Sequence, residues 1–403
     1  MLNNNNKLNL EEINRDFFQG KKLDEIPEEI YLFKTESYYY DNQKWVRLEE
    51  ENGYKIRELE ISQEKLNEII RNASQRLVSM EEESGKYIYG FTTNTAEVMN
   101  DYNILRHAGT TWSQILAYNE NPNDELKKHI EQVIEYLLNN YMISYNENLN
   151  HIKMIGEDEI VLGGDALTLL MLAEYENTFK ENKYIDICNK IANAILSMQN
   201  EDGSFNHSYS LDLTLREKMI TSYYDGESIY ALMKFYKISG RRDIYDAVTK
   251  AIDFFIENNY IQYEDHWISY AMSEYIKYNQ DDKYLKFALD NYLENRIDLS
   301  ETTRFNPTNV EVLLATYNTY LFMKQNNPDN EIIKNFNISG LEKSIQRTIK
   351  GLCKYYIEPE VSMYYESPEK VKYGFQSSEN RMRIDDIQHS MSAIIAYKNS
   401  DLY

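Results

Sequence analysis

Most of this chain reads as helices that alternate between two kinds. One kind is apolar almost all round, as in "ALTLLMLA" and "VEVLLATY". The other, such as "DIYDAVTKAIDFFIENN", sets Lys, Asp and Glu at helical spacing along one face. A helix apolar on every side must be buried, whereas an amphipathic one keeps a wet face. Five successive pairs follow one another from "NILRHAGTTWSQILAY" with "DELKKHIEQVIEYLLNNY" to "NVEVLLATYNTYLFMKQ" with "ISGLEKSIQRTIKGLCKYY". The last helix, "DDIQHSMSAIIAYKN", lacks a partner after it, and "QEKLNEIIRNASQRLVSM" near the start supplies one. Twelve helices in six pairs, closed by the two ends of the chain, predict an all-α (α/α)6 toroid with an inner and an outer ring. Residues 1–60 read differently: they alternate aromatic and charged residues in places and predict an N-terminal extension with short strands, ahead of a ring spanning 61–403. A solenoid of tandem helix pairs is the rival. Inner helices start near residues 103, 163, 223, 266, 309 and 384, and those irregular intervals all exceed the roughly 34 residues of a tetratricopeptide repeat.

Loop lengths divide the same way. Breaks within a pair are short, such as "ENK" and "SGRRD". Breaks between pairs are long, such as "MISYNENLNHIKMIGEDEIVLGG" and "IEPEVSMYYESPEKVKYGFQSSENRMRI". Long loops of this sort are often functional. In a ring they share one face, where the inner helices begin, and that face is the expected site.

The helical pairs, the turn "QNEDGSF" after an outer helix and the segment "GGDALTLLMLAEY" resemble the α/α toroid class. That class includes six-hairpin glycosidase-like proteins, sugar epimerases, terpenoid cyclases and lanthionine cyclases. The resemblance covers about residues 62–403 and lies at the level of the fold. It implies enzymes that act in a central cavity, often on carbohydrate. The Asp and Gly of "QNEDGSF" are also what the turn itself requires sterically.

Charge and composition narrow the partners. The net charge of −23 disfavours nucleic acid and anionic membrane surfaces, because like charges repel over a Debye length. No apolar run approaches the 18 residues of a membrane span, and the first residues lack the apolar core of a signal peptide. Two cysteines, Cys188 and Cys353, suit a reducing cytosol, so the expected location is cytoplasmic. The 36 tyrosines suit a cavity lined by flat apolar rings with polar tips.

Candidate chemistry gathers where inner helices begin. "DYNILRHAGTTW" places Arg106 and His107 side by side after Tyr102. A charged pair in an apolar helix is costly to bury unless it is partnered or meets water. Arg106 is expected to bind substrate and His107 to move protons; tying down a loop and capping a carbonyl are the structural alternatives. "RMRIDDIQHSMSAIIAY" sets His389 four residues after Asp385 and three after Asp386, both on one helical face. Capping explains one aspartate. Asp386 is taken as catalytic beside His389, and ring closure is expected to turn His107 and His389 into one cavity. "SYYDGES" adds Tyr224 and Asp225 as substrate contacts and Glu227 as a catalytic carboxylate. "EDHWISYAMSEY" adds His266, Trp267 and Tyr270, "TTRFNPTNVE" adds Asn309 along with Arg304, and "LGGDA" adds Asp165, all as substrate contacts or, for Asp165, a helix cap.

The histidines lack the spacing of a zinc helix, and the cysteines are too few for a lanthionine-cyclase zinc site, so neither metal nor cofactor is expected. No acid motif of a terpenoid cyclase, phosphate loop or nucleophile elbow is present. The expected function is a carbohydrate-active enzyme using acid/base chemistry on a small-molecule or oligosaccharide substrate. Glycoside hydrolysis needs two carboxyl groups flanking the bond, and epimerisation needs an acid and a base. The residues leave both open. A toroid that binds a peptide or protein without turnover, and a tailoring enzyme for a peptide or polyketide-like substrate, are the alternatives.

Overall fold

A computed structural model of the chain describes residues 36–41, 43–51, 54–57, 60–216, 223–263, 265–294, 306–376, 380–400 and 402. The chain divides into two compact units, Met1–Glu58 and Leu59–Tyr403. In the first, strands β1 (Ser37–Asp41), β2 (Lys44–Glu51) and β3 (Tyr54–Arg57) form an antiparallel sheet in that order. Its register sets Tyr40 opposite Trp45, and their rings meet at 5.0 Å.

The second unit is built from helix pairs. Among the described residues, twelve helices run ten residues or longer. Six form an inner ring: α2 (Ile104–Glu120), α4 (Leu162–Phe179), α6 (Tyr224–Ser239), α8 (His266–Tyr275), α10 (Pro307–Asn326) and α12 (Ile384–Lys398). Six lie outside them: α1 (Gln63–Val78), α3 (Asp124–Tyr141), α5 (Ile185–Ser197), α7 (Arg242–Glu257), α9 (Asp282–Glu294) and α11 (Ile338–Cys353). Each inner helix packs on the next, and α12 packs back on α2, so the ring closes. Helix α1 packs against α12 and completes the sixth pair from the opposite end of the chain.

Patterning explains which helix goes where. Every residue of α4 from Leu162 to Glu176 is buried. In α7 only Ile244, Val248, Ala251, Ile252 and Phe255 are buried, at three- and four-residue steps. Burying about five such apolar side chains on one stripe contributes roughly 1.5–3 kcal/mol each. That driving force, more than helix propensity, fixes the outer layer.

The starts of the inner helices are well specified. Asn103 caps α2 by accepting from Arg106 N at 3.0 Å. Asn306 caps α10 by accepting from Thr308 N at 3.2 Å, with Pro307 in the first turn, where its missing N–H costs nothing. The long loops ahead of them pair locally. Strand β4 (Gly90–Thr92) pairs with β7 (Arg381–Arg383), tying the segment before α2 to the one before α12. Strand β5 (Glu159–Val161) pairs likewise with β6 (Ser208–Ser210).

The turn "QNEDGSF" is accounted for by its own geometry. Gly203 has φ +99°, and a Cβ there would stand 2.4 Å from Lys250 O on α7. Asp202 accepts from Ser204 N at 3.0 Å, closing the turn. Both signature residues are thus used by the turn itself. Among the described residues, no helix is long and apolar enough to cross a membrane.

Candidate functional site

Where the inner helices begin, a cavity of about 410 Å³ opens on the long-loop face. Helix α2 supplies Asn103 and Arg106, and α6 supplies Tyr224 and Glu227, with Tyr223 just before. Helix α8 contributes His266 and Trp267, and α10 contributes Pro307 and Thr308 after Asn306. The opposite wall is Arg383, Asp385, Asp386 and His389. Side chains from five inner helices thus converge on one space. Gly163 of α4 makes room for this, since a Cβ there would meet Tyr224 at 2.5 Å and Glu227 Oε2 at 2.6 Å.

A run of alternating charges forms the floor. Glu311, buried on α10, accepts from His389 Nδ1 through Oε2 at 3.0 Å and from Ser392 Oγ through Oε1 at 2.8 Å. His389 Nε2 lies 3.5 Å from Asp385 Oδ1, and the same oxygen meets Arg106 Nη1 at 2.7 Å. Burial alone would lower the pKa of His389. The carboxylates of Glu311 and Asp385 outweigh it and hold the ring up to about 10, so it is an imidazolium at neutral pH. Burial would likewise raise both carboxyls, but His389 pulls Glu311 below the ordinary range, and His389 with Arg106 and Arg383 pulls Asp385 well below it.

Two neighbours behave oppositely. The His266 ring lies 5.3 Å from that of His389, and its Nε2 stands 3.7 Å from Glu311 Oε2 with no hydrogen-bond partner. Burial pushes its pKa down to about 3, so this imidazole is neutral. Glu227 also has a buried oxygen, Oε2, without a partner. Burial, with a smaller push from Asp385, raises its carboxyl to about 8 against the pull of Arg106 and His389, so it stays mostly protonated at neutral pH. One cavity therefore holds a neutral and a charged imidazole, and a neutral and a charged carboxyl.

The expected site residues divide accordingly. Arg106, Tyr224, Glu227, His266, Trp267, Asp386 and His389 line the cavity. His107 does not, and the expectation that it faces His389 across the cavity is corrected. Helices α2 and α12 are neighbours, as expected, but the His107 ring turns outward between the layers. Its Nε2 is 2.8 Å from Val133 O on α3, and its Nδ1 is 2.7 Å from Tyr102 OH. Tyr102 is thereby engaged away from the cavity as well. Asp165 is fully buried and holds a loop, accepting from Ile152 N at 2.7 Å and meeting His151 Nδ1 at 2.6 Å. Asp225 turns to His207 Nε2, 3.2 Å away. Tyr270 lies one turn deeper, stacked on Tyr230 at 5.2 Å in the packed centre of the ring. Asn309 sits past the rim, where Asn306 and Thr308 take the lining positions. Tyr223 and Tyr224 are the tyrosines among the lining residues, so the wall is more charged than the composition suggested. Arg304 falls outside the described residues.

Asp386 lines the wall but is fully engaged by one residue. It accepts from Arg383 N at 2.9 Å, Nε at 3.0 Å and Nη2 at 2.7 Å, forming a capping box at the start of α12. Of the two adjacent aspartates it is the cap, and Asp385 is the one joined to His389 and Arg106. The sequence reading missed Glu311 altogether. Its signal was a single carboxylate inside the otherwise apolar run "NVEVLLATY", where an unpaired charge is untenable.

By sequence, no protein-family model and no curated protein matches this chain. Solved structures do. A cellobiose 2-epimerase from Bacillus thermoamylovorans superposes with a TM-score of 0.63 at 12% identity, over 84% of this chain and 99% of that one. A D-mannose isomerase gives 0.59 at 10% identity, over 83% and 98%. An inactive variant of an α-1,6-mannanase from Salegentibacter sp., bound to α-1,6-mannotriose, gives 0.57 at 9% identity, over 83% and 99%. At such identities the likeness is one of fold, and in fold this chain is an α/α toroid.

Proposed function

We propose that this chain is a carbohydrate-active enzyme of the epimerase or isomerase type, moving a proton at the carbon beside a sugar's carbonyl. The observation that carries the reading is the pair His266 and His389, side by side in the cavity and held in opposite protonation states. Similar toroids that act on sugars by such chemistry, a cellobiose 2-epimerase and a mannose isomerase, support the substrate class.

In this reading an open-chain reducing sugar sits against Trp267 and Tyr224, with its carbonyl toward His389. His266 Nε2, free of a hydrogen-bond partner, accepts the proton from C2. This requires the ring's own proton on Nδ1, the nitrogen 3.9 Å from Asp265 Oδ1. The C2–H electron pair forms the C1–C2 double bond, and the carbonyl pair moves onto O1. The imidazolium of His389 stabilises that oxygen and donates a proton to it, while Glu311 and Asp385 hold the ring in place. Return of a proton to C2 on the other face, with O1 giving its proton back to His389, gives the epimer; return of a proton to C1, with loss of the O2 proton, gives the ketose. Glu227 is a third transferable proton, placed to assist ring opening at the sugar's ring oxygen.

A second reading has its own observation. Glu227 is protonated and Asp385 ionised in the same cavity, the division of labour that glycoside hydrolysis uses. Incubation in D2O with a panel of free aldoses and disaccharides, followed by proton NMR, separates the two. Loss of the H2 signal by solvent exchange is the expected result. Cleavage of a glycosidic bond without exchange would move the assignment to hydrolysis. A chain that does neither but binds a peptide on the long-loop face would be a binding module. Against that last outcome stands the convergence of Arg106, Glu227, His266, Asp385 and His389 on one cavity.

A further inference from the structure

The floor of the cavity has a second use. We propose that His266 Nε2, His389 Nδ1 and Glu311 Oε2 form a site for a single divalent transition-metal ion, of which zinc is the representative. The three side chains are buried, and one donor atom from each lies within 4.8 Å of the other two. A zinc ion about 2.1 Å from each nitrogen and oxygen sets its ligands roughly 3.0–3.4 Å apart, depending on coordination angle. The two observed separations, 3.0 Å from Glu311 Oε2 to His389 Nδ1 and 3.7 Å to His266 Nε2, bracket that range.

Three further observations fit a metal rather than a mere packing cluster. His266 Nε2 is a buried polar atom without a hydrogen-bond partner, and its ring lines the cavity. Such a group normally finds one, and its lone pair is the kind of donor a borderline-soft ion takes. Each histidine also has a carboxylate near its other ring nitrogen, Asp385 for His389 at 3.5 Å and Asp265 for His266 at 3.9 Å. Glu311 is steadied by Ser392 through its second oxygen. Metal-binding histidines and carboxylates are oriented by contacts of this sort. Finally, the cavity gives the ion an entry path and leaves coordination positions for water or sugar hydroxyls. Two imidazoles and one carboxylate suit zinc and its first-row neighbours better than calcium or magnesium, which prefer oxygen alone.

Binding needs no change in oxidation state. The proton shared between His389 Nδ1 and Glu311 leaves to solvent, and the ion takes its place. The same two imidazoles serve the acid/base chemistry described above, His266 through its lone pair and His389 through its proton. The consequence for turnover therefore rests on that reading, and an occupied site and metal-free turnover exclude one another.

The experiment is a titration of the chelator-stripped full chain with Zn²⁺ against a chromophoric chelator, repeated on His266→Ala and Glu311→Gln. Folding of each variant is checked by circular dichroism and melting temperature. Expected are one tight site per chain and at least about 100-fold weaker binding in each folded variant. Co²⁺ in place of Zn²⁺ should give a visible absorption band that His266→Ala loses. Absence of tight binding to the unaltered chain overturns the site. So does binding retained in both variants, which would place the ion on acidic surface groups. Deuterium exchange measured in parallel separates the two ideas. Exchange that zinc abolishes and chelator restores supports both. Zinc that binds and raises turnover keeps the site and removes the metal-free mechanism.

Discussion

Two pairs of buried histidines in this ring have opposite surroundings. His107 and His129 lie between inner and outer helices, each with both nitrogens engaged. His107 reaches Val133 O and Tyr102 OH, and His129 reaches Tyr87 OH at 3.1 Å and the Glu81 carboxylate. His266 and His389 are buried too, yet they border open space, and one has a nitrogen with no hydrogen-bond partner. Burial shifts His107 to about 4 and His266 to about 3, so a perturbed pKa does not separate the two pairs. What separates them is open space: His266 and His389 border the cavity, and at His266 one nitrogen is also left unsatisfied. A buried polar group with every partner supplied is finished as structure, whereas one left open beside a cavity can meet a substrate or an ion.

The sharpest way to break this comparison is to remove one histidine from each pair. His389→Gln should lower turnover about 10²–10⁴-fold, the usual contribution of a general acid or base, with a modest change in melting temperature. His107→Ala should do the reverse. It strands the Tyr102 hydroxyl and the Val133 carbonyl and leaves a cavity, each effect costing about 1–3 kcal/mol, while turnover stays near normal. The His107 variant also tests the pH response. The unfolded chain takes up this proton near the ordinary histidine value, but the folded protein resists until about pH 4. Stability is therefore lost as pH falls between those values, and His107→Ala should flatten that part of the melting-temperature profile. Equal loss of turnover in both variants would erase the distinction.

Glu227 sharpens the comparison, because its unpartnered oxygen makes it an open group that stability would disfavour. Glu227→Gln should cut turnover within the same range of about 10²–10⁴-fold. Its effect on melting should carry the opposite sign at high pH. In the unfolded chain the carboxyl ionises near the ordinary value, and in the folded protein only near pH 8. Between those values the folded state holds the extra proton, so stability falls as pH rises. The glutamine variant escapes that loss. It should match the parent near pH 5 and melt higher at pH 9. A variant that melts lower at pH 9 would show that the charge is accommodated.

The toroid was legible in the sequence because burial leaves a periodic trace. Apolar-all-round runs such as that of α4 have one place to go, and amphipathic runs such as α7 have another. The mouth was legible too, since long loops and a cluster of carboxylates and aromatics mark the starts of inner helices. Direction was not. His107 and His389 occupy similar positions near the starts of adjacent inner helices, and which way a ring turns depends on what the outer helix offers. Val133 O is such an offer, and no local pattern around His107 encodes it. Glu311 was hidden for a related reason. It sits on the second turn of α10, past the loop residues, where periodicity registers an apolar run and not the partners that its one carboxylate meets.

The smallest expected effect concerns the aspartates of α12, adjacent in sequence and alike in composition. Sequence spacing placed both on the face of His389, and only the structure distinguishes them. Asp385 is wedged between His389 and Arg106, and Asp386 is gripped by the backbone and guanidinium of Arg383. Asp386→Asn keeps an acceptor for the Arg383 N–H but loses the paired contact with the guanidinium. The ordinary cost of a lost cap is about 1 kcal/mol, so melting should fall by a few degrees and turnover should change little. Asp385→Asn removes a carboxylate that holds His389 protonated. Its deuterium exchange should fall sharply, and the pH at which the His389 ring titrates by NMR should drop. That second readout distinguishes a positioning role from a structural one, because a loosened helix end would not by itself neutralise the ring. If Asp386→Asn lowers exchange more than Asp385→Asn does, the capping assignment is reversed and Asp386 carries the chemistry.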